Sequence, residues 1–175
     1  MSTIEQPGRS TADKVLWDYL SRLRRLEAVP VRGHYQIKVF ADDNALSGAL
    51  QAAAKIVVAG NGKFIFAIPD DLDGAYLWDC FIYVTTAGVS VIRVQLRYVE
   101  PGDDPNTTGV DMLSTRMEIE TGEYSSYTAT TQRVINTSNW QVAKGGMIAI
   151  DVDDGGGNEA MGLGVGIELN PPAAA

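Results

Sequence analysis

Downstream of Pro30 apolar residues recur at every second position in one run after another, whereas just upstream of it they recur at every third and fourth. A period of two belongs to a strand with one face on a core, and a period of about 3.6 to a helix with one buried stripe. The sequence therefore predicts a mainly β fold, an antiparallel β-sandwich or jelly roll over residues 31–170, preceded by an N-terminal amphipathic α-helical arm over residues 1–30 and followed by a short tail, 171–175.

The arm helix is expected over about residues 11–27. Ser10 or Thr11 can cap it, Asp13 suits its first turn, and Pro30 stops it. Leu16, Tyr19, Leu20, Leu23 and Leu26 form its apolar stripe, with Arg22, Arg24 and Arg25 in its last half, where cations complement the helix dipole. A helix of about four turns is marginal without something to pack on. Leu16, Trp17, Tyr19, Leu20, Leu23 and Leu26, with the three arginines, are therefore read as a partner-binding surface. The alternative, that the helix closes one end of its own domain, stays open.

In the β region Tyr35, Ile37 and Val39 alternate with His34, Gln36 and Lys38, giving a first strand with one wet face. Residues 45–58 favour helix in their alanine-rich part and strand after Lys55, and both readings stand. Lys63–Ile68 reads as a strand ended by Pro69 and an acidic turn. Ala75–Thr85 and Val89–Val99 are expected to form a hairpin through Thr86, Ala87 and Gly88. Trp78, Cys80, Ile82 and Val84 share one face of its first strand. In the second, Ile92, Val94, Leu96 and Tyr98 alternate with Arg93, Gln95 and Arg97, which are assigned to water. Glu100–Gly109 is a polar surface connection. Further strands are expected at Arg116–Glu120, Thr130–Ile135, Met147–Asp153 and Leu163–Leu169, with no βαβ rhythm that would call for a parallel sheet.

Composition then limits the chemistry. With 14 Lys and Arg against 22 Asp and Glu the net charge is −8, which repels phosphate backbones and anionic lipid, so neither nucleic acid nor membrane is expected as a partner. The polar start carries no signal-type apolar core, and synthesis in a cytoplasm is expected. A single cysteine and a single histidine leave zinc, iron–sulfur and haem sites almost without ligands, so no metal and no cofactor is expected. Cys80 reads as core filler and His34 as a strand residue facing solvent, and no enzymatic activity is expected. Asp151, Asp153, Asp154, Asn158 and Glu159 offer oxygens of the kind calcium prefers, but they lack EF-hand spacing and are read as a hairpin loop between the last two strands. Trp140, with Asn139 beside it, and Asp103 and Asp104 in the long polar connection, are the candidate receptor contacts.

From Met112 onward the runs Leu113-Ser114-Thr115-Arg116, Glu118-Ile119-Glu120, Gly146 to Asp153 and Gly162 to Ile167 have a texture that resembles the jelly-roll head decoration (cement) and tail-associated proteins of tailed bacteriophages. The likeness spans about residues 62–170 and rests on strand patterns rather than reactive residues. It implies a virion structural protein, a homotrimer whose N-terminal segment reaches the major capsid protein or a neighbouring virion protein, and it carries over no catalytic residue. A tail or fibre component with a receptor-binding jelly roll, and a carbohydrate-binding module, are the alternative readings.

Overall fold

The computed structural model describes residues 56–170 and, for the backbone alone, Gly33–Lys38. The expected arm helix and its residues Leu16, Trp17, Tyr19, Leu20, Arg22, Leu23, Arg24, Arg25 and Leu26 lie outside the described residues. So do segment 45–55 and the tail.

The protein is mainly β, and its paired strands are all antiparallel. In chain order they are β1 (Gly33–Lys38), β2 (Gly60–Ala67), β3 (Tyr76–Tyr83), β4 (Ile92–Val99), β5 (Val110–Asp111), β6 (Leu113–Thr115), β7 (Met117–Ile119), β8 (Val134–Ile135), β9 (Met147–Gly155) and β10 (Gly164–Asn170). One sheet has the order β1-β10-β3, and a second the order β2-β9-β4-β5, with β7 also on β4; β6 and β8 form a small ribbon. Beyond β3 the first sheet is extended by isolated bridges, Tyr83 to Ser125 and Tyr76 to Gln141.

Strict alternation predicts the core correctly where strands are regular. Ile148, Ile150 and Val152 of β9 and Leu163, Val165 and Ile167 at and in β10 are all buried, and they join Leu77, Ile82, Ile92, Val94 and Leu96 in one hydrophobic cluster fed by both sheets. The β1–β10 register sets Tyr35 opposite the buried Ile167 and Ile37 opposite the buried Val165.

Four expectations are corrected. First, β3 and β4 are not a hairpin: β3 pairs with β10 and β4 with β9. Residues 84–91 carry the chain from one sheet to the other, and a short Thr-Ala-Gly link fits a crossing as well as a turn. Second, β9 and β10 likewise belong to different sheets, so the Asp151–Glu159 stretch is the end of β9 and the start of a return crossing rather than a hairpin loop. The two crossings run side by side, joined by Thr85 and Thr86 N–H donating to Met161 C=O, Met161 N–H to Thr86 C=O, and Val89 N–H to Gly156 C=O. Their backbones approach so closely that a Cβ on Gly88 would lie 2.6 Å from the Gly156 carbonyl oxygen, a separation only glycine allows.

Third, Trp78 is not on the core face. The β3–β10 register shifts between Glu168 and Leu169, so Trp78 is the extra residue of a β-bulge. Parity flips there, Leu77 turns into the core, and Trp78 is 49% exposed. Fourth, Gln95 and Arg97 are buried rather than wet. The strand opposite β4 leaves it after Met112 and rejoins at Met117. Gln95 fills that gap: its Oε1 accepts the Leu96 N–H at 3.0 Å and its Nε2 donates to the Leu113 carbonyl at 3.0 Å. Met112 C=O is meanwhile committed to Asn136 N–H. The expected strand at Thr130–Ile135 contracts to the two residues of β8.

Cys80 is fully buried in β3, and burial pushes its thiol up to about 12, with Arg133 opposing that rise. At pH 8 the buried thiol is then overwhelmingly un-ionised and out of reach of a reagent. Ellman's reagent should leave the folded protein unlabelled at that pH and react fully within minutes in guanidinium chloride; rapid labelling of the folded chain would contradict the packing described.

Candidate interaction surfaces

Two surfaces carry side-chain chemistry. On the first sheet, Gly164 and Gly166 of β10 stand opposite Tyr83 and Phe81 of β3. Where these glycines lack a side chain the neighbouring rings fold over the backbone, and a Cβ on either would lie 2.2 Å from a ring carbon. Phe81 stacks on Tyr83 with centroids 6.5 Å apart and on Tyr127 at 5.2 Å. Tyr127 is 56% exposed and has the Arg133 guanidinium 5.3 Å from its centroid. Arg133 in turn pairs with Asp79. The Asp79 carboxylate also accepts the Cys80 N–H at 2.7 Å, fixing the strand next to the bulge. The result is a row of aromatic rings ending in an ion pair.

The second surface is the outer side of β4 and β9. Arg93 binds Glu118 at 2.8 Å and Asp154 at 2.7 Å, and Arg116 binds Asp153 at 2.7 Å. Arg97 forms a two-pronged pair with Asp151, at 2.8 Å through Nε and 3.1 Å through an Nη, and also donates to the carbonyls of Pro105 and Thr108. Asp151 accepts the Gly62 N–H at 2.6 Å as well. One buried ion pair therefore ties the exposed Glu100–Gly109 loop and the start of β2 to the centre of the sheet. The carboxylates of Asp151, Asp153 and Asp154 are each engaged by an arginine, and among the described residues no group of three or more His, Cys, Asp or Glu side chains is placed to hold a metal ion.

The candidate receptor contacts are spread out. Trp140 is half-buried, packed against the core and tilted on Tyr76 with centroids 4.8 Å apart, and its carbonyl accepts the Leu77 N–H. Asn139 donates from its side chain to the Asp111 carbonyl at 3.2 Å. Asp103 and Asp104 are exposed in the loop, where the Asp104 carboxylate accepts the Asn106 N–H at 2.9 Å. That bond is the first cause holding the Asp104 carboxyl below its usual range. Asp104 thus shapes its own loop. The aromatic row of Phe81, Tyr83 and Tyr127, with Arg133, is absent from the sequence expectation. Its available signal was the alternation of Gly162, Gly164 and Gly166 with apolar residues, which leaves one face of β10 bare for a neighbour's rings.

These features define a mainly β protein with antiparallel sheets and a surface of ion pairs and stacked rings. Among the described residues no helix is long and apolar enough to cross a membrane. No protein-family model and no curated protein matches the chain.

Proposed function

We propose that the protein is a jelly-roll structural protein of a bacteriophage virion, a capsid decoration or cement protein that assembles as a homotrimer and stabilises the head shell by non-covalent contacts, without catalysis. The observation that carries this reading is strand order. Take the run 110–119 as a fifth strand and the segment bridging the free edge of β3 at Ser125 and Gln141 as a sixth, with β9 and β10 seventh and eighth. Counted so, the first sheet, β1-β10-β3 with two isolated bridges beyond β3, and the second, β2-β9-β4 with β5 and β7 on β4, are compatible with the order first-eighth-third-sixth and second-seventh-fourth-fifth. That is the order produced when one long antiparallel hairpin is wrapped into two sheets, the jelly-roll arrangement common in viral shells and lectins. The side-by-side crossings at Gly88 and Gly156 fit the same wrapping.

In this reading the body is a rigid, chemically inert knob, and the apolar stripe at residues 16–26 is the anchor to the major capsid protein or a neighbouring virion protein. Burying a methylene contributes about 0.8 kcal/mol, so a few docked leucines supply several kcal/mol per chain before ordering costs. Three linked arms then attach far more firmly than one. The expected result is that the full chain co-sediments with heads of the phage that encodes it, and that a chain lacking residues 1–28, with an unchanged urea midpoint, stays in the supernatant. Retained binding by the shortened chain would overturn the anchor.

The second reading, a tail or fibre component that recognises a host receptor, is favoured by the Glu100–Gly109 loop, since a loop held by Arg97 at Pro105 and Thr108 loses less freedom on binding. Host-cell binding that survives removal of residues 1–28 would select it. A carbohydrate-binding module would need an exposed ring platform, and Trp140, the ring among polar neighbours, is half-buried and packed on Tyr76.

A further inference from the structure

We draw no further inference here: the strongest candidate, the aromatic face of the β1-β10-β3 sheet where Phe81, Tyr83 and Tyr127 lie beside the Asp79–Arg133 pair, is a sheet face for which nothing among the described residues shows what covers it.

Discussion

Replacing Asp151 with alanine should lower the unfolding free energy by about 3–5 kcal/mol, the usual cost of removing one partner from a buried ion pair. The Arg97 and Asp151 side chains are only 10% and 9% exposed, so a guanidinium left alone there is poorly hydrated. The substitution also strips the Gly62 N–H of its acceptor. Arg97→Ala should cost a similar amount and in addition free the loop, because the donors to Pro105 and Thr108 disappear. Arg93→Ala is the control. Its side chain is 41% exposed, and its pairs with Glu118 and Asp154 sit at the water, where an ion pair contributes about 0–1 kcal/mol. Urea midpoints read all three. An Asp151→Ala loss no larger than that of Arg93→Ala would show that the pair is hydrated and that the loop is not tied down through it.

Gln95→Leu should be destabilising by about 2–3 kcal/mol even though it places an apolar side chain of similar size in a buried position. Its carboxamide serves two backbone groups at once, the Leu96 N–H and the Leu113 C=O, at the point where the neighbouring strand leaves β4. An unpaired buried polar group costs about 1–3 kcal/mol, and here a leucine can meet neither demand. Hydrogen exchange gives the local readout: the Leu96 amide should lose protection in the variant while Ile150, in β9, keeps its own. Equal stability of variant and parent would mean that the ladder closes across the gap without Gln95.

The features legible in the sequence are those that depend on a regular pleat. Ile148, Ile150 and Val152, and Leu163, Val165 and Ile167, could be placed in the core from their spacing alone, because nothing interrupts the period of two along them. Gln95 and Arg97 follow the same alternation but are buried, since their cover comes from irregular chain at Leu113, Pro105 and Thr108, which carries no periodic signal. Trp78 was misplaced by a single extra residue, which is enough to exchange the two faces of a strand. The pairing of β3 with β10 and β4 with β9 is a long-range choice. Thr86-Ala87-Gly88 permits either a hairpin or a crossing, and only the return crossing at Gly156–Met161 decides between them.

The surface was less legible than the core for a related reason. A row such as Phe81, Tyr83 and Tyr127 is assembled from β3 and a segment some forty residues later, over glycines of β10 more than thirty residues further still. No local pattern joins those three places. Trp140 stood out in the sequence as a large ring among polar neighbours, yet a ring of that size contributes most by covering apolar surface, which is what it does against Tyr76 and the core.

If the chain acts as proposed, by assembling with copies of itself, its mass in solution reveals it. Sedimentation equilibrium of the full chain, 18.8 kDa per copy, should give a single species of three copies that persists on dilution to micromolar concentration. A species of one copy at every concentration would contradict the account.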